Sequence, residues 1–106
     1  MTLLPMSLSE LERWYADQCN GEWELGSGIR IESLDNPGWQ AHISLRDTRR
    51  QMAQLRKVRI DRDEKNWIHY WIDSQVFHIA CGPTNLSEAI DIFVHWFESD
   101  SLPSPR

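Results

Sequence analysis

Ile29-Arg-Ile-Glu-Ser-Leu-Asp-Asn-Pro-Gly-Trp-Gln-Ala-His-Ile-Ser-Leu45 is the stretch that decides the fold. Ile29 and Ile31 alternate with Arg30 and Glu32, and Trp39, Ala41, Ile43 and Leu45 alternate with Gln40, His42 and Ser44. A two-residue period of this kind marks strands that keep one face against a core. Between the two runs, Asp35-Asn-Pro-Gly38 is turn chemistry, because proline presets one dihedral and glycine permits a positive one. The stretch predicts an antiparallel hairpin with one buried face.

Working towards the N-terminus, the alternation continues back to Glu22, with Trp23 and Leu25 set against Glu22 and Glu24. Gly26 and Gly28 interrupt it, which predicts a bulge or sharp bend in one long strand. Earlier still, Ser7-Leu-Ser-Glu10 has the pattern of a capping box, in which serine and glutamate each satisfy a first-turn amide. Leu8, Leu11, Trp14, Tyr15 and Gln18 recur at helical spacing, so a helix is expected over 8–19, ended by Asn20-Gly21.

Towards the C-terminus, 46–54 reads as a loop or a short helical turn that brings in Met52 and Leu55. Val58 and Ile60 predict a third strand, and 61–66 a polar turn. Residues 67–73 predict a fourth strand with aromatic or aliphatic side chains on both faces, so the pattern does not choose the buried one. Phe77, Ile79 and Cys81 predict a fifth, reached by a tight turn near 73–75. Gly82-Pro83 stops that strand, and Asn85-Leu-Ser-Glu88 repeats the capping-box pattern ahead of a helix over 86–98. The expected architecture is α+β: an antiparallel meander sheet of about five strands, with an N-terminal and a C-terminal helix packed on one face. One domain spans 1–106, with its ordered core over about 7–98 and a frayed tail over 99–106.

Six tryptophans in 106 residues, each able to bury on the order of 200 Å², are read mainly as core; any left exposed would be binding anchors. The formal net charge is −5, but residues 46–62 hold seven of the eleven basic side chains against Asp47 and Asp61. That segment is +5, leaving −10 on the rest. Met1-Thr-Leu-Leu-Pro-Met6 has no basic start and too short an apolar stretch for an export signal, and no window reaches a membrane span. A cytoplasmic protein with Cys19 and Cys81 reduced is the expectation.

Chemistry is hard to find in the sequence. Cys81 stands just before a helix N-terminus, which can lower a thiol pKa, and His42, His69 and His78 are expected on strands nearby; the favoured reading is nevertheless a small core residue. Neither C-x-x-C nor H-x-x-x-H spacing is present, so no metal site is expected. No phosphate-cradling glycine loop and no convergent carboxylate pair is found, so neither a cofactor site nor a catalytic residue is assigned. Nucleic-acid binding would rest on the 46–62 arginines alone, with the −10 elsewhere opposing a polyanion. A solvated, aggregation-resistant edge strand is preferred for that segment, with docking of an acidic protein as an intermediate option.

Three segments carry a resemblance. Trp14-Tyr15 followed by Cys19-Asn-Gly-Glu-Trp-Glu24, then Leu34-Asp-Asn-Pro-Gly-Trp39, then Ala80-Cys-Gly-Pro83 with Asn85-Leu86, Phe93 and Trp96, resemble the immunity protein 53 family over about Leu8 to Phe97. Leu25 stands where that pattern often has histidine, and the central segment is basic where the family tends to be acidic. The resemblance implies an antitoxin made beside a bacterial polymorphic toxin, which it neutralises by direct binding without catalysis. The motif residues themselves are read as fold-specifying. For the partner-binding surface the sequence nominates the surplus aromatics Trp67, Tyr70 and Trp71 with Arg56 and Arg59, and a monomer is expected.

Overall fold

A computed structural model of the chain describes residues 7–26 and 28–99; the expectations for residues 1–6 and for the tail beyond 99 lie outside the described residues. Helix α1 (Ser7–Gln18) is followed by a short 3₁₀ turn (Trp23–Leu25). Strands β1 (Ile29–Leu34), β2 (Gly38–Ser44), β3 (Leu55–Asp61), β4 (Trp67–Asp73) and β5 (Val76–Cys81) come next, and then helix α2 (Leu86–Glu98). The strands form one antiparallel sheet in the order β1-β2-β5-β4-β3. Thus the β1–β2 hairpin and the β3–β4–β5 meander are two local units, joined where β5 lies beside β2. Both edges of the sheet, β1 and β3, are charged strands.

Alternation decides which side chains meet the helices. Phe77, Ile79 and Cys81 on β5 share a face with their register partners Ile43, Ala41 and Trp39 on β2, and with Ile72, Tyr70 and Ile68 on β4. Phe77, Ile79, Cys81, Ala41, Ile43 and Ile68 are all buried. Helix α2 lies on this face: Phe93 meets Phe77 edge-on at 5.0 Å, and Trp96 meets Phe77 at 5.1 Å. Helix α1 closes over α2 through Trp14, whose ring contacts Phe93 and Phe97 at 4.9 and 5.1 Å. Each fully buried large side chain here contributes about 1.5–3 kcal/mol of transfer free energy, so the aromatic column adds substantially to the aliphatic core of Ile43, Leu45, Ile68 and Ile79.

The segment before β1 is not a strand. Asn20 Oδ1 accepts the N–H groups of Glu22 and Trp23, while the Glu24 carboxylate accepts those of Asn20 and Gly21. This reciprocal capping winds 22–25 into the 3₁₀ turn and overrides the two-residue alternation, with Gly21 at φ +94° supplying the left-handed residue after α1. Trp23 is thereby buried against Trp14 and Tyr15. The two expected capping boxes do not form. Ser7 Oγ and Glu10 Oε1 are buried without a hydrogen-bond partner among the described residues. Asn85 caps α2 through its carbonyl alone, since its side chain reaches across to the β3–β4 turn. There its Oδ1 accepts the Trp67 N–H, and its Nδ2 donates to Asn66 Oδ1.

The other motif residues converge on the same end of the sheet. Trp39 Nε1 donates to the Pro83 carbonyl at 3.0 Å, tying the hairpin turn to the β5–α2 junction. The Gly82 N–H donates to Trp67 O. A Cβ on Gly38 would sit 2.4 Å from Cys81 O, and one on Gly82 only 2.2 Å from Lys65 O. Glycine is required at both positions because two backbones pass too closely for any side chain. These motifs specify the fold.

Candidate protein-binding face

The sheet face opposite the helices carries a different set of side chains, and no helix covers it among the described residues. Register places them in rows across all five strands. One row runs Arg30 (β1), His42 (β2), His78 (β5) and Trp71 (β4), ending under Lys57 of β3. The next runs Glu32, Gln40, Ala80, His69 and Arg59. Asp61 and Trp67 begin a third.

Within the first row the side chains support one another. The Lys57 ammonium lies 4.4 Å from the Trp71 ring centroid, a cation–π contact. The Trp71 ring stacks on His78 at 5.1 Å and 10°, and His78 meets His42 edge-on at 5.0 Å. In the second row Gln40 Nε2 donates to Glu32, and His69 Nε2 lies 2.7 Å from Asp61 Oδ1 with the Trp67 ring beside it. Aromatic rings held flat and half-buried by neighbours, with cations at both ends, have the composition of a binding hot spot.

Of the residues nominated from the sequence, Trp67, Trp71 and Arg59 share this face, and Arg56 is exposed at the rim where β3 is irregular between Leu55 and Val58. Tyr70 does not join them. Strand alternation turns it to the helix side, where its ring stacks on Phe77 at 5.8 Å. His42, His78 and Arg30 were not nominated. Their common signal is the β2–β5 pairing, which joins residues far apart in sequence and leaves no local trace.

The basic segment separates into distinct roles. Arg49 and Arg50 donate to the Phe97 carbonyl, and Arg50 also to that of Ser99, while their guanidinium groups lie over the Phe97 and Trp96 rings. They satisfy the exposed carbonyls and negative dipole at the end of α2. Arg62 forms a two-pronged ion pair with Glu88 of α2, which holds that carboxyl below its usual range. Arg46, Arg56 and Arg59 make no ion pair among the described residues.

Cys81 is fully buried, and burial pushes its thiol up to about 11, the opposite of what a nucleophile needs. Among the described residues no three His, Cys, Asp or Glu side chains are grouped to hold a metal ion. His78 is held below the usual imidazole range by burial first and by His42 second. What this face offers is a shaped surface of aromatic, imidazole and cationic groups. Among the described residues no helix is long and apolar enough to cross a membrane.

Comparison with known proteins gives one positive result: the sequence model described as immunity protein 53 matches residues 8–98. No curated protein and no solved structure matches the chain. The matched span runs from the first turn of α1 to the end of α2 and takes in all five strands. The chain belongs to the immunity protein 53 family.

Proposed function

We propose that this chain binds a cognate bacterial toxin domain in the cytoplasm and neutralises it by direct contact through the open face of its sheet, without catalysis of its own. Family membership supports the immunity role. The observation that carries the choice of face is the Lys57–Trp71–His78–His42–Arg30 row, a continuous aromatic and cationic surface on the side away from both helices. Trp71 and Trp67 are the anchors, with Arg59 and Arg56 as cationic contacts towards the β3 edge. Tyr70 acts indirectly, by stiffening β4 from the core side.

Nucleic-acid binding gains no support, because Arg49, Arg50 and Arg62 are committed to α2. The test is co-expression with the toxin domain encoded beside this gene. Rescue of growth and recovery of a one-to-one complex are expected; neither rescue nor complex would refute the proposal.

A further inference from the structure

Where the open face meets the β1 edge there is a basin of about 490 Å³, lined by Gly26, Gly28, Arg30, His42, Ser44, Val76 and His78. Among the described residues its polar side chains are one guanidinium, two imidazoles and one hydroxyl, and no carboxylate lines it. The Arg30 guanidinium makes no ion pair among the described residues. Ser44 Oγ accepts the Arg46 N–H and keeps its own proton to donate. Burial and the His42 ring 5.0 Å away both disfavour the charged form of His78, so the lining has capacity for an added negative charge. The groups facing the pair from other strands are Arg30 on β1, Asp73 and Trp71 on β4, and Lys57 above Trp71. Asp73 is the acidic member; its effect on His78 is smaller than that of burial and His42.

We infer that this basin receives an aspartate or glutamate side chain from the toxin domain, gripped by Arg30 and by the His42–His78 pair, one of which takes up a proton as the complex forms. This rests on the proposed toxin binding and adds its chemical specificity. A charged partner that fills the gap in charge is what the lining lacks. A protein carboxylate suits it better than a nucleic-acid strand, since the basin is not continued by a basic track along β1, where Glu32 follows Arg30.

The experiment measures toxin-domain affinity by calorimetry for the wild type, Arg30→Ala, and His42→Gln with His78→Gln, each first checked for an unchanged melting temperature. Arg30→Ala should weaken binding about tenfold or more, the loss expected for a charge-assisted hydrogen bond. Wild-type affinity should rise several-fold from pH 8 to pH 6 with net proton uptake, and the double histidine variant should lose that slope. Wild-type affinity retained by Arg30→Ala, or a pH slope retained by the histidine variant, overturns this inference while leaving toxin binding intact. Absence of any wild-type complex overturns both. Retention of single-stranded DNA that Arg30→Ala abolishes, with toxin affinity unchanged, would assign the basin to phosphate and overturn the carboxylate.

Discussion

Replacing Gly82 by alanine tests whether the family motif is structural. The added Cβ would lie 2.2 Å from Lys65 O and 2.6 Å from Asn85 Oδ1. Neither neighbour can simply swing away. Lys65 O is backbone within a turn closed by the Arg62–Asn66 and Asn66–Asp63 hydrogen bonds, and Asn85 Oδ1 is engaged by the Trp67 N–H. Forcing them apart is overpacking against a fixed wall, which costs about 3 kcal/mol at the upper end of its usual range. For a chain of this size 1 kcal/mol moves the melting point by about 4–5 °C, so a fall of about 13 °C is expected by circular dichroism or tryptophan fluorescence. Gly38→Ala, with Cys81 O at 2.4 Å, should behave alike. Met52→Ala is the control, since that side chain is 80% exposed and lies outside every helix and strand. If Gly82→Ala melts within about 3 °C of wild type, or Met52→Ala falls as far, the close-approach argument is wrong.

The Cys81 thiol, buried and raised to about 11, should react with iodoacetamide at pH 7.5 at least about a hundredfold more slowly in the folded protein than in denaturant; rapid labelling would restore a thiol-enzyme reading. Arg62→Ala should let the Glu88 carboxyl return towards its usual range, as followed by carbon NMR. Because pairing lowers that pKa, its stabilisation is present above about pH 4.5 and is lost as pH falls through the depressed value. The wild type should therefore lose more stability than the variant on acidification, and equal slopes would deny the ion pair a role. Trp71→Ala should keep the fold yet weaken toxin binding by about 2 kcal/mol, roughly thirtyfold; unchanged affinity would remove Trp71 as an anchor. Arg56→Glu with Arg59→Glu should leave the oligomeric state unchanged by light scattering but slow toxin association, most visibly at low salt.

What could be read from the sequence followed the range of the interactions. The hairpin, the later strands and both helices came from local period and turn residues, and those are enforced locally in the fold. Glu22 to Leu25 misled because Glu-Trp-Glu-Leu alternates like a strand, while the Asn20–Glu24 capping that bends it acts through side-chain oxygens. Asn85 misled for the opposite reason: its sequence neighbours suggest a local cap, but its partners are Trp67 and Asn66, on another element. Strand β4 is apolar on both faces, so periodicity had nothing to choose between. Only the packing of α2 on Phe77, the partner of Ile72, decides that Tyr70 faces the helices and Trp71 the open side. The basin could not be found at all without the β2–β5 register.

The reversal of charge at 46–62 has a physical reading that neither edge protection nor nucleic acid supplies. Guarding an edge strand needs charge, most often lysine, and does not call for arginine in particular on β3. Closing the C-terminus of α2 does need cations, and Arg49 and Arg50 meet that need. Lys57 stands against an aromatic face, where a carboxylate would be repelled by the ring. With Arg62 paired to Glu88, that leaves Arg46, outside the strands, and Arg56 and Arg59 on β3, whose sign nothing among the described residues demands. A sign with no internal reason is most economically set by what the protein meets outside itself. On this face the two β3 arginines and Arg30 lie at opposite edges of the same aromatic strip, so a partner spanning it encounters positive charge at both ends. The chain as a whole is acidic at −5, so an acidic partner surface would meet less repulsion along that strip than the net charge alone implies. For the toxin binding proposed above, the excess of acid elsewhere would then favour approach of an acidic surface through the open face.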